Sequence, residues 1–192
     1  DNLYANSLVA FDLNSKKIKW HFQAIPHDLW NMDLAAAPIL TTLIKENKII
    51  DVVVAVTKLG NTLVLDRETG SSLFDMKKIL SPTSNVPGEK TSPYQYQMQI
   101  PETVCRNRMN KNELSDLFYL DKNRLNELFE NNEYGFPNPP KIGIKNIHIG
   151  GCVRWAGASV DTEKNMLYVT VDQTPFLVSI IENKFWKGFY TH

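Results

Sequence analysis

The strongest constraint on the fold is a unit that occurs twice. Leu8-Val9-Ala10-Phe11-Asp12 is apolar with strand propensity, Asn14-Ser15-Lys16-Lys17 is turn-like, and Ile18-Lys19-Trp20-His21-Phe22 alternates again. That pattern predicts a hairpin. The unit returns 54 residues on, counted from Asp12 to Asp66, as Leu63-Val64-Leu65-Asp66, Arg67-Glu68-Thr69-Gly70 and Leu73-Phe74. In this register Asp66 falls on Asp12, Thr69 on Ser15, Gly70 on Lys16 and Phe74 on Trp20. An aspartate at a strand end can accept turn amides, Thr-Gly supplies the turn, and the aromatic can dock on a neighbouring unit. Repeats of roughly 40–50 residues with several short strands suggest propeller blades. A plain β-meander is the other architecture that two such hairpins allow.

Between the two units lies another hairpin. Val52-Val53-Val54-Ala55-Val56 is a continuous apolar strand, expected to be covered on both faces. Leu59-Gly60-Asn61 reads as its turn, and Thr62 to Leu65 as the return strand. Lys58 closes the apolar strand, and its local reading is a lysine whose ammonium snorkels outward. From Met76 to Ile144 the character changes, and we expect an insertion in the β scaffold. Turn formers from Ser81 to Pro93 read as a surface loop. Asp121 reads as the N-cap of a short helix with Leu125, Leu128 and Phe129 on one face, ending near Asn131. The breaker run Gly135-Phe136-Pro137-Asn138-Pro139-Pro140 returns the chain to strand. Insertions of this length often wall a site or contact another subunit. The strand Met166 to Val171, after a turn at Thr162 to Asn165, resumes the β pattern; the aromatic run Phe185 to Tyr190 follows none.

Composition excludes some partners. The 192 residues carry 21 Lys plus Arg against 21 Asp plus Glu, so no net field draws the chain to nucleic acid or anionic membrane. No apolar run approaches the roughly 18 residues of a membrane span. The chain opens on Asp1-Asn2-Leu3-Tyr4 without signal peptide or initiating methionine, as expected of a piece cut from a longer protein. Cys105 and Cys152 share no metal-ligand spacing. A disulfide in an oxidising compartment and two lone buried thiols are both open to them.

Two stretches concentrate chemistry. Pro26-His27-Asp28-Leu29-Trp30-Asn31-Met32-Asp33 packs a histidine, two carboxylates, an amide and an indole into eight residues. It reads as a loop presenting side chains to a site, against the plainer reading of carboxylates that only cap backbone amides. Gly150-Gly151-Cys152-Val153-Arg154-Trp155 joins paired glycines, which allow close approach of backbone, to a cation and a large ring. The plainer reading there is an ordinary core tryptophan.

Taken in order, these residues resemble a known family. Ala10-x-Asp12 with Trp20-His21-Phe22, then His27-Asp28-x-Trp30-x-x-Asp33, then Thr57-Lys58-x-Gly60-Asn61 with Leu65-Asp66-Arg67-x-Thr69-Gly70, is similar to the pyrroloquinoline quinone (PQQ) dependent dehydrogenases. Tyr134-Gly135-Phe136 with Pro139-Pro140, and Gly150-Gly151 with Trp155-x-Gly157-x-x-x-Asp161 and Leu167-Tyr168-Val169, extend the likeness over nearly the whole chain. The branch most resembled is that of the membrane-bound glucose and quinate dehydrogenases.

The resemblance implies an all-β fold: a sector of about three blades from an eight-bladed β-propeller, with the remaining blades elsewhere in the full-length protein. It makes residues 1–192 a partial propeller domain, with the insertion at about 76–144. It implies PQQ near the propeller axis with a divalent cation, usually calcium, whose ligands are mostly outside this chain; no metal ligand is expected within it. The implied reaction oxidises an alcohol, sugar or polyol by hydride transfer to the quinone, with electrons passed to a membrane quinone. The implied location is the periplasm, with an inner-membrane anchor through a segment absent here. By motif, Lys58 takes the place of the cation at the quinone oxygens. Gly151, Arg154 and Trp155 are the further cofactor contacts, although Arg154 stands where relatives often have asparagine or glutamate and can equally point away. The family's catalytic aspartate falls on Asn31. An amide can hold a hydroxyl but cannot take its proton near neutral pH. Asp28 or Asp33 can substitute, or the protein binds PQQ without turnover. A non-enzymatic propeller scaffold would share Asp12 and Trp20 but has no use for Lys58 or for the loop Pro26 to Asp33.

Overall fold

The computed structural model describes residues 2–106, 122–130, 133–182 and 190–191. The first repeat unit is the antiparallel pair β1 (Ser7–Asp12) and β2 (Lys17–Gln23). Asp12 closes its turn by accepting the amides of Asn14 at 2.9 Å and Ser15 at 2.7 Å. The second unit repeats the device, with Asp66 accepting the amides of Glu68 at 2.9 Å and Thr69 at 2.8 Å. A third copy, which the pattern of the first two does not announce, sits at Asp161, accepting from Glu163 at 3.1 Å and Lys164 at 3.0 Å. Four residues after each aspartate the chain turns left-handed, at Lys16 (φ 55°), Gly70 (φ 73°) and Asn165 (φ 51°). The aromatic docks as the repeat implies. Trp20 Nε1 donates to the Arg67 carbonyl at 3.0 Å, and its ring lies on Gly70 so closely that a Cβ there would meet it at 2.5 Å.

The central sheet has the order β3-β4-β5, from Ile39–Lys45, Lys48–Val56 and Thr62–Asp66. As expected, the apolar half of β4 is covered on both faces. Val53 and Ala55 join Leu63 and Leu65 in the larger core, while Val52 and Val54 pack with Val64 on the other side. β3 was not expected from sequence. Its threonines and the outward Leu40 and Ile44 look unremarkable until β4 offers an edge to pair.

The 76–144 stretch, expected as an insertion, has secondary structure of its own. Its start is a hairpin, β6 (Met76–Leu80) and β7 (Tyr94–Met98), around the anticipated loop. Met98 N bonds to the buried Asn61 side chain at 3.1 Å, which ties this hairpin to the central blade. The loop fastens onto the breaker run: Asn85 exchanges bonds with Ile142 at 2.9 and 2.7 Å, and Ser81 reaches the Pro137 carbonyl at 3.2 Å. The helix forms as α1 (Lys122–Glu130). Its proposed N-cap Asp121, the end at Asn131, the side chains of Leu125 and Leu128, and the aromatic tail over 185–189 lie outside what is described. The strands then run β8 (Glu133–Tyr134), β9 (Asn146–Ile149), β10 (Ala158–Asp161), β11 (Met166–Val169), β12 (Pro175–Val178), β13 (Ile181–Glu182) and β14 (Tyr190–Thr191). Here β9 lies between β8 and β12, β10 pairs with β11, and β13 with β14.

Candidate active site

The loop before Asp33 is built by Asp28. Its carboxylate accepts the amides of Trp30 and Met32, each at 2.9 Å, and the Asn6 side-chain amide at 2.8 Å. Those bonds wrap the chain so that Asn31 sits left-handed at φ 60°, a conformation asparagine tolerates better than most residues. Trp30 points the other way. Its Nε1 donates to the Asn138 carbonyl at 2.7 Å and its ring meets Phe136 edge-on at 4.9 Å. Trp30 and Met32 are thereby part of the main core, and Asn31 between them is exposed.

Lys58 is fixed from behind. The turn from Thr57 to Asn61 closes with Gly60 at φ 77° and its amide on the Thr57 carbonyl at 2.8 Å. The Lys58 carbonyl accepts Cys152 N at 2.7 Å. Gly151 lies flat on the lysine stem, where a Cβ would come to 3.3 Å of Cγ and Cδ. The outward, snorkelling orientation is overturned: only 12% of the side chain is exposed, and Nζ donates to the Asn31 carbonyl at 3.2 Å and to the Asp33 carboxylate. The docking of two strand-end loops, which local sequence cannot foresee, is what turns it inward.

A cavity of about 570 Å³ opens in front of this pair. Asn31, Lys58, Gly151, Arg154 and Trp155 all border it, so five of the residues singled out in sequence share one wall. Trp155 is no core tryptophan, being 79% exposed. Arg154 donates to the Gly150 carbonyl at 3.1 Å and pairs with Asp172 at 2.9 Å. The Asp172 carboxyl is held below the usual range by the Thr174 hydroxyl and amide, with Arg154 adding to them. Asp33 stands one contact away from the cavity, behind Lys58. Asp28 is not in the lining, and its oxygens accept bonds from its own loop and from Asn6. Among the lining residues no carboxylate occurs. Among the described residues no group of three or more His, Cys, Asp or Glu could hold a metal ion.

Two features were missed or left open. His148, on β9, lines the cavity although it is only 5% exposed. Burial pushes its pKa down to about 4, so the imidazole is neutral at pH 7. Its place two residues before the paired glycines Gly150-Gly151 was the signal available. Cys105 and Cys152 form a disulfide, which braces the backs of Gly60 and Lys58.

Known proteins match this chain. The family described as PQQ: glucose/ethanol/alcohol dehydrogenase, beta-propeller domain matches residues 1–189. A quinoprotein glucose dehydrogenase of Gluconobacter oxydans is 28% identical over 93% of this chain and 22% of its own length. A quinate/shikimate dehydrogenase (quinone) of Acinetobacter baylyi is 34% identical over 51% of the chain and 13% of its own length. The crystal structure of quinohemoprotein alcohol dehydrogenase from Comamonas testosteroni superposes with a TM-score of 0.56 at 20% identity, over 97% of this chain and 22% of that one. The chain thus spans less than a quarter of these relatives, and its fold is a sector of a β-propeller.

Proposed function

This chain belongs to the PQQ-dependent glucose/ethanol/alcohol dehydrogenase β-propeller family, and on that premise we propose that it supplies one wall of a PQQ site for oxidising a small alcohol, sugar or polyol. The observation carrying this is the inward Lys58, clamped by Asn31 and Asp33 beside an exposed indole and a second cation, Arg154. These residues fit a flat quinone that bears carboxylates. Trp155 offers a face to stack on, Gly151 keeps side-chain bulk off that wall, and the two cations answer the negative oxygens. When bound, PQQ supplies a quinone carbon that accepts hydride from the alcohol carbon. Lys58 stabilises negative charge at the quinone oxygens from a preorganised position. The Asn31 amide orients the substrate hydroxyl, and Asp33, held against Lys58 at the wall, takes the hydroxyl proton. A divalent cation, calcium by family habit, is held mostly by residues outside this chain. Electrons leave to a membrane quinone. The disulfide supports a periplasmic location, where such bonds persist.

The test is substrate-dependent dye reduction by the full-length protein loaded with PQQ and calcium. Asp33→Asn should lower turnover by about 10²–10⁴-fold, the usual worth of a general base. Undiminished turnover would remove Asp33 from the role. A second reading is PQQ binding without turnover, favoured by the absence of any carboxylate from the cavity lining. It expects an inert wild type that still binds PQQ and is switched on by Asn31→Asp.

A further inference from the structure

We propose that His148 is a ligand-positioning residue of this cavity, donating an imidazole N–H to an oxygen of the bound quinone cofactor. The proposal rests on the PQQ reading above. Gly150 comes two residues after His148, one past the end of β9. Phe176 lies opposite His148 in β12, and its ring covers Gly150, where a Cβ would meet it at 2.1 Å. The imidazole is set in the wall opposite Phe176, in a lining it shares with Lys58 and Arg154. Its Nε2 is enclosed and has no hydrogen-bond partner. A buried polar atom left without a partner is costly, and native proteins keep few of them. Leucine would fill the position without that cost. Burial keeps the ring neutral, so one nitrogen carries a proton to donate and the other a lone pair. The proposal includes a rotation about the Cβ–Cγ bond that turns a ring nitrogen to the cavity side. The missing partner is then an acceptor oxygen brought in by the ligand.

The experiment uses the full-length protein, PQQ as probe, and the variants His148→Leu and His148→Gln. Dissociation constants come from quenching of tryptophan fluorescence, and melting temperatures are taken without PQQ. His148→Leu should weaken PQQ binding at least tenfold while the PQQ-free melting temperature holds or rises. Glutamine, which restores a donor, should bind within about threefold of wild type. Equal PQQ affinity in wild type and His148→Leu would overturn the inference. So would an unshifted His148 imidazole nitrogen resonance when PQQ is added to the wild type, a readout that stands even where His148→Leu fails to fold. A wild type that does not bind PQQ at all would instead overturn the functional reading, and this inference with it.

Discussion

Lys58 shows how one residue's meaning changes with what docks around it. In isolation, a lysine after an apolar strand extends into water. Here the Cys152 amide, the Gly151 backbone and the Asn31 carbonyl fix its backbone, stem and head in turn. Because the ammonium is preorganised, Lys58→Ala in the full-length protein should cut turnover by about 10²–10³-fold, the usual loss for one electrostatic stabiliser. An effect under threefold in dye reduction would place the lysine outside the reaction. Asp28 works differently, since it shapes the loop and does not face the cavity. Asp28→Ala frees two backbone amides and the Asn6 side chain, so we expect about 1–3 kcal/mol lost per group left buried and unpaired. Chemical denaturation measures the loss, and near-UV dichroism of Trp30 should change with it. Unchanged stability would show that the loop holds its shape without the carboxylate.

Among elements, the aspartate-closed turn with its docked indole links neighbouring units. Gly70→Ala meets two obstacles at once: a left-handed φ of 73° and a ring already 2.5 Å from any Cβ. Strain at a left-handed residue alone costs on the order of 1–3 kcal/mol, and displacing Trp20 adds to it. The melting temperature should fall, and the Trp20 fluorescence should shift to the red as the ring is exposed. Asp66 adds a pH dependence. The Thr69 amide and hydroxyl hold its carboxyl below the ordinary range in the folded state. Its stabilisation is therefore full above the unfolded pKa and is lost as pH falls through the lowered folded value. Asp66→Asn should flatten the acid limb of the stability profile; an unchanged limb would remove the turn carboxylate from acid unfolding.

For the whole molecule, the disulfide spans 47 residues and joins the segment after β7 to the glycine pair at the site. In the chain-entropy account, closing a loop of that size is worth about 4 kcal/mol. Cys152→Ser should lower the melting temperature accordingly, and a reductant should do the same to the wild type but not to the variant. Apolar residues also stand on exposed strand faces, among them Phe11 and Ile18 on the first hairpin and Leu40, Ile44 and Ile49 on the central blade. Patches of that kind need a cover, which adjacent blades of the longer protein would provide. The 192 residues on their own should therefore self-associate in sedimentation. A monodisperse monomer would show that these faces tolerate water.

What the sequence determined by itself was local. The Asp12 and Asp66 turns, the two-sided burial of Val52 to Val56 and the presence of a short helix each depend on contacts within a few residues, or on hydrophobic period. The family motifs drew the eye to Asn31, Lys58, Gly151, Arg154 and Trp155, which do border one cavity. Only the tertiary structure decided which way those groups point. Lys58 faces inward because two distant loops hold it, and Asp28 is spent on its own loop. Trp155 stands exposed although tryptophan is commonly buried. β3 formed against the edge of β4, and β6 and β7 pair with each other across the intervening loop; such pairing energy has no trace in a single segment's pattern. His148 escaped notice for the same reason. An isolated histidine in a short strand reads as ordinary until the fold sets it in a cavity wall and leaves its Nε2 without a partner.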